Sequence, residues 1–229
     1  MYSAWRIGLA YVVAWTFGNI VGPLFWLLVA FGRIRIRGYC TLVASIRAGH
    51  LIITPNHPSL LETFLIPAML WPHYLYSPRF FVWSVPDERL FGGFEWAYPL
   101  LRCVTVHRGD QKKATTGMRR IMRLLNGGEV FVIHPEGGRT CKGQEHRTRG
   151  GRRLRPIATS IPAIARKAGA RILPMWVSMP GADKPRSVFG TSWLVICSRR
   201  PVVVSIRHSP HEMGKNDANE KLEEMILTS

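Results

Sequence analysis

His50-Leu51-Ile52-Ile53-Thr54-Pro55-Asn56-His57-Pro58-Ser59-Leu60-Leu61-Glu62 begins as an apolar run of strand character and ends in a proline turn that opens a helix. It reads as a strand-to-helix unit with ionisable residues at the C-terminal end of the strand. Inside a regular helix, a histidine and a glutamate five apart would point about 140° away from each other, since each residue turns the helix by about 100°. Pro58 removes that obstacle. Its missing N–H and fixed φ suit the first helical position, so Asn56 or His57 becomes the cap and His57 lies just outside the helix that carries Glu62. His57 can then fold back over the first turn. A carboxylate on one imidazole nitrogen fixes the tautomer and steadies the imidazolium, leaving the other nitrogen to take a proton from a substrate hydroxyl.

A second motif lies further along. Glu129-Val130-Phe131-Val132-Ile133-His134-Pro135-Glu136-Gly137-Gly138-Arg139-Thr140 is an apolar strand that stops in a Pro-Glu-Gly-Gly-Arg turn. Gly137 and Gly138 allow positive φ and let backbone N–H groups approach a ligand, and Arg139 offers a planar fork to a phosphate.

Together the two motifs resemble the glycerolipid acyltransferases of the lysophosphatidic acid acyltransferase family, in which a histidine and an acidic residue flank four others and a Pro-Glu-Gly-x-Arg turn follows. The resemblance implies that His57 is the general base and Glu62 its orienter. It further implies that Glu136, Gly137, Gly138 and Arg139, with the earlier Arg108, hold the phosphate of the acceptor. Pro174, in an apolar strand that matches the family's fourth block, would help to shape the acceptor or acyl site. Two residues depart from the common pattern: Glu62 stands where the phosphatidic acid makers usually have Asp, and Gly138 where Thr is common. Glu at this position is also typical of lipid A secondary acyltransferases, which leaves the acceptor lipid open.

Composition narrows the classes. With 229 residues and 47% apolar content the chain can bury one full core. A net charge of +17, from 31 basic against 14 acidic residues, predicts attraction to a polyanion. Nucleic acid is not expected, because the tryptophans and phenylalanines lie in apolar runs and are not interleaved with the Arg-rich segments. Cys40, Cys103, Cys141 and Cys197 form no Cys-x-x-Cys pair and no secreted-type framework, which suits a reducing compartment. The closest histidine pair, His208 and His211, sits in a proline-broken loop without clustered carboxylates, so no metal is assigned.

Residues from about Ile7 to Phe31 are almost uncharged and, at about 1.5 Å per residue, long enough to cross a bilayer core of roughly 30 Å. Gly18, Gly22 and Pro23 interrupt the stretch, leaving a kinked span or a re-entrant or interface-lying helical hairpin as the alternatives. Arg33, Arg35 and Arg37 follow, which predicts a membrane protein whose remaining chain is cytoplasmic if the stretch spans, and which would also set these charges among anionic head groups. Arg33–Arg37 reads as a first strand. Helices are expected from Pro58 to about Leu70, Asp87 to Ala97, Gln111 to Leu125, Ile157 to Ala168 and Asn216 to Leu227. Strands are expected near Arg79–Ser84, Leu101–Val106, Val130–Ile133, Arg171–Val177, Trp193–Cys197 and Val202–Arg207. The basic, Gly-rich segment between Arg139 and Arg155 shows no periodicity and reads as a solvated loop or a mobile flap.

The expected fold is therefore an α/β domain over residues 33–229, a mixed sheet flanked by helices, preceded by a membrane-anchoring helix or hairpin over residues 1–32. No Gly-x-Ser-x-Gly elbow is present to supply a covalent intermediate, and Ser59 reads as a helix-start residue. The expected chemistry is direct transfer of a fatty acyl group to a hydroxyl of a lysophospholipid-type acceptor such as 1-acyl-glycerol-3-phosphate. The donor is a thioester, acyl-CoA or acyl-carrier protein, with no further cofactor. The alternatives are another lyso-lipid acceptor, of lyso-aminolipid or lipid A type, and a non-catalytic basic protein that binds the membrane surface.

Overall fold

A computed structural model describes residues 4–59, 61–86, 102–106, 109, 111–142, 145–157, 161–182, 184, 187–214 and 219–229. The strands within these residues are β1 (Ile34–Arg37), β2 (Leu51–Pro55), β3 (Trp83–Ser84), β4 (Val130–Val132), β5 (Arg147–Arg149), β6 (Arg152–Leu154), β7 (Arg171–Ser178), β8 (Val202–Ser205) and β9 (His211–Glu212). The helices are α1 (Ala4–Ala30), α2 (Tyr39–Ala48), α3 (Glu62–Tyr74), α4 (Gln111–Asn126), α5 (Ile161–Lys167), α6 (Val188–Cys197) and α7 (Asn219–Thr228). The main sheet runs β1-β8-β7-β2-β4-β3, with β9 also on β7. Around β2 it is parallel, to β7 on one side and β4 on the other, and β8 and β9 join β7 antiparallel.

Alternation along the strands builds two cores. Leu51, Ile53, Val130, Val132, Leu173 and Met175 face one cluster with Phe25 of α1, Leu42 and Ile46 of α2 and Leu65 and Met69 of α3. Ile52, Phe131, Ile172 and Trp176 face the other, with Ile121 and Leu125 of α4, Ile161 of α5 and Leu222 and Ile226 of α7. Successive strand side chains point to opposite faces, so a strand covered on both sides must be apolar throughout. That is why β2, β4 and β7 read as unbroken hydrophobic runs.

The mixed sheet with helices on both faces agrees with the sequence expectation, while several elements differ. Trp193–Cys197 belongs to helix α6, not to a strand. Arg79–Ser84 is a 3-10 turn at Pro78–Phe80 followed by the two-residue β3, and Cys103 makes a single bridge to Ser84. α2 was not foreseen. α3 continues through Pro67 and Pro72 to Tyr74, and α5 is shorter than expected. The helix expected over Asp87 to Ala97 lies outside the described residues. The basic segment is not an open flap: β5 and β6 form an antiparallel hairpin held on α7 by Arg147–Glu223 (3.4 Å), by Arg149–Glu224, and by Arg152 donating to the Leu227 carbonyl (2.8 Å).

α1 is one continuous helix through Pro23. Gly18 and Gly22, read from sequence as interruptions, form its contact face: a Cβ at Gly18 would collide with the Tyr74 hydroxyl and one at Gly22 with the Trp71 ring. Trp71 Nε1 donates to Asn19 Oδ1 at 3.0 Å across the same contact. Among the described residues no helix is long and apolar enough to cross a membrane. Along the Gly18 and Gly22 face, α1 lies against α3.

Candidate active site

The parallel strands β2, β4 and β7 all end at the same edge of the sheet, where open α/β sheets present their ligand crevices. Each delivers one part of the site: Asn56 and His57 after β2, His134 to Thr140 after β4, Met179 at the end of β7.

The first part departs from the expected capped helix. α3 starts at Glu62, four residues after Pro58, because tertiary hydrogen bonds take the groups that a cap would use. The Asn56 side chain accepts from the Val177 N–H (2.6 Å) and donates to the Val177 carbonyl (3.0 Å), imitating a strand neighbour. Asn56 is buried and fully engaged on β7, so it is no cap. Ser59, expected as a helix-start residue, lies ahead of α3: its Oγ accepts from the Leu61 N–H (2.9 Å) in a turn and contacts Met179 Sδ (3.1 Å).

Glu136 knits the two motifs together. Its Oε1 accepts from the His57 N–H (2.7 Å) and the Thr140 hydroxyl (2.8 Å), and its Oε2 from the Arg155 N–H (2.9 Å). The Thr140 N–H in turn donates to the His57 carbonyl (2.8 Å), so both main-chain polar groups of His57 are held by the Glu-Gly-Gly-Arg turn. Burial is the largest influence on this carboxyl and pushes its pKa up, against the lowering effect of the Arg155 and His57 N–H groups, the Thr140 hydroxyl and the nearby His57 charge. At 1% exposure its carboxylate faces protein donors, an arrangement that clamps the two motifs together.

Gly137 has φ 64°, in the left-handed region that favours glycine. Gly138 makes room for a neighbour: a Cβ there would lie 2.7 Å from Arg155 Nη1. Arg155, in the stretch that sequence reasoning treated as loop, thus brings a guanidinium over the turn beside Arg139. The substitution of Gly for Thr at position 138 has this physical counterpart. No spacing rule would have found Arg155.

His134 is the other residue passed over. Its ring stacks on His57 with centroids 4.4 Å apart and planes at 24°. A signal was present, since a histidine immediately before the Pro-Glu-Gly turn must emerge at the strand end with the rest of the site.

Pro174 is buried in β7, opposite Thr54 of β2. It lies between the residues of β7 that pair with β9 (171–172) and those that pair with β8 (176–178), so its missing N–H falls where the ladder changes partner. This gives it a structural part in the sheet. Arg108 lies outside the described residues, as does the side chain of Glu62, whose backbone opens α3. The structure thus brings His57, Glu136, Gly137, Gly138 and Arg139 together and adds His134, Thr140 and Arg155.

Comparison with known proteins gives two findings. The structure is similar to that of the 1-acyl-sn-glycerophosphate (LPA) acyltransferase PlsC from Thermotoga maritima, with a TM-score of 0.59 over 95% of this chain and 77% of that one, at 19% identity. At that identity the likeness speaks for the fold. The family model described as Acyltransferase matches residues 33–178, which run from β1 to the end of β7 and contain both motifs. The chain belongs to the Acyltransferase family.

Proposed function

We propose that this protein transfers a fatty acyl group from a thioester, acyl-CoA or acyl-carrier protein, to a free hydroxyl of a phosphate-bearing lysophospholipid such as 1-acyl-glycerol-3-phosphate, at a membrane surface. The observation that carries this reading is the double tie between the His57 main chain and the turn that bears Arg139. A base and an anion-gripping cation are held at one strand edge, although they lie far apart in sequence.

The reaction balances without a further co-reactant. The neutral imidazole of His57 takes the hydroxyl proton while the oxygen attacks the thioester carbonyl, forming the C–O bond. Collapse of the tetrahedral intermediate breaks the C–S bond, and the leaving thiolate recovers the proton from His57. Glu62 orients the imidazole. Arg139 and Arg155 hold the acceptor phosphate, for which a guanidinium offers two parallel hydrogen bonds. His134, stacked on His57, supplies an aromatic face beneath the imidazolium as it forms.

The reading is tested with labelled acyl thioesters and a panel of acceptors: 1-acyl-glycerol-3-phosphate, the same lipid without phosphate, and a lyso-aminolipid. Charge-assisted hydrogen bonds are worth about 1.5–3 kcal/mol, so the phosphate should raise kcat/KM by at least about tenfold. Equal turnover of the acceptor lacking phosphate would contradict it.

A further inference from the structure

Trp193–Cys197 was expected to be a strand, and its helical form within α6 leaves apolar side chains in the open. Val195 and Thr191 turn inward (2% and 3% exposed), whereas Trp193 is 68% and Ile196 51% exposed. Beside it, α1 shows Ile20, Leu24, Leu27 and Phe31, exposed at i, i+4, i+7 and i+11, a single helical stripe opposite the Gly18, Gly22 and Phe25 face that meets protein. The two helices end side by side. Phe31 and Ile196 line one depression of about 500 Å3, and the Arg33 guanidinium donates to the Ser198 carbonyl at 2.6 Å. Single exposed apolar residues are ordinary, but a patch continuous over two elements marks an interaction surface.

Charge says what covers it. Arg33 and Arg199 line the depression, the exposed Arg200 follows in sequence, and Arg35 and Arg37 are exposed on the adjoining strand. Neither residues 1–61 nor residues 184–211 contain a single Asp or Glu. A second copy offering the same face would set arginines against arginines. An apolar stripe with a tryptophan, rimmed by arginines and free of acids, matches the boundary between acyl chains and anionic head groups.

We infer that α6 is a membrane-contacting element in its own right, forming with α1 one platform that seats on an anionic bilayer. This goes beyond the proposed reaction and rests on it only in that the acceptor is a lipid. α6 follows β7, whose end carries Val177 and Met179 at the site, so the platform and the crevice share one short connection.

The experiment reads α6 directly. An environment-sensitive fluorophore is attached to the exposed Cys197 in a Cys40→Ser/Cys141→Ser background, Cys103 being buried. It is then followed with vesicles of phosphatidylcholine alone or mixed with phosphatidylglycerol, alongside cosedimentation. A blue shift on the mixed vesicles is expected, with the vesicle partition coefficient falling about tenfold in Trp193→Asp/Ile196→Asp, since burying one large apolar side chain is worth about a factor of ten or more. Arg199→Gln/Arg200→Gln should abolish the preference for anionic lipid at low salt. Protein that cosediments with an unshifted spectrum would overturn the inference, leaving α1 alone at the bilayer. A shift that depends on protein concentration without vesicles would overturn it in favour of self-association. Failure to cosediment while acyl transfer to a detergent-dispersed acceptor persists would also overturn it and leave the acyltransferase reading standing.

Discussion

Replacing Glu136 by glutamine tests whether this carboxylate is a clamp or a ligand. Two donors meet Oε1 and one meets Oε2. An amide keeps only one acceptor oxygen. If that oxygen faces the His57 N–H and the Thr140 hydroxyl, the amide NH2 opposes the Arg155 N–H; in the reverse orientation it opposes the His57 N–H, while the Thr140 hydroxyl can turn to accept. The cheaper orientation loses one buried charge-assisted hydrogen bond of about 1.5–3 kcal/mol. Removing the charge relieves part of the burial cost that raises this carboxyl's pKa, so the net loss of stability should be about 1–3 kcal/mol. Urea unfolding measures it. With the His57 main chain less firmly held, kcat should also fall by about tenfold, the equivalent of about 1.4 kcal/mol in the barrier, while the acceptor KM changes little. Unchanged stability together with a raised acceptor KM would refute the clamp and return the carboxylate to the ligand.

Three further outcomes follow from the same geometry. His134→Phe keeps a ring against His57 and should retain most of kcat, whereas His134→Ala should lose about 0.5–1 kcal/mol of barrier stabilisation, a factor of about 2–5 read in single-turnover kinetics; equal rates for the two would deny the stack a role. Arg139→Lys keeps the charge but loses the fork, so the KM for a phosphate-bearing acceptor should rise while the thioester KM stays constant; kinetics identical to the parent enzyme would remove Arg139 from phosphate recognition. Gly138→Thr should displace the Arg155 guanidinium and raise the acceptor KM, and the change should be much smaller when made in Arg155→Gln; independent, additive effects of the two substitutions would disconnect them.

The parts of the fold that were legible in the sequence are those where local and tertiary demands agree. β2, β4 and β7 are buried on both faces, so their pattern is an uninterrupted apolar run ended by turn residues. α4 shows a helical repeat in Gly117, Ile121 and Leu125 and stops at Gly127 and Gly128. Misreadings arose where an external surface or a distant hydrogen bond decides. Trp193-Leu194-Val195-Ile196-Cys197 has strand composition, and the polar outer face that would reveal a helix is replaced by exposed apolar side chains. The start of α3 depends on Asn56 bonding Val177, 121 residues away, and no local rule contains that. At the site, residue type pointed to His57 and to the Glu-Gly-Gly-Arg turn, which the fold ties together through the His57 main chain. It could not show that Glu136 turns inward, because a carboxylate's direction is set by which N–H groups the fold brings to it.

The proposed reaction turns on His57 removing the proton from an acceptor hydroxyl during direct acyl transfer. The most direct measurement is single-turnover formation of diacyl product from an acyl thioester and 1-acyl-glycerol-3-phosphate, quantified by mass, for the unaltered chain, His57→Ala and Glu62→Gln. General-base catalysis contributes about 10²–10⁴ in rate, so both substitutions should slow product formation on that scale while leaving unfolding by urea essentially unchanged. A His57→Ala protein that retains more than about half the parent rate, far above what loss of a general base permits, would contradict the account.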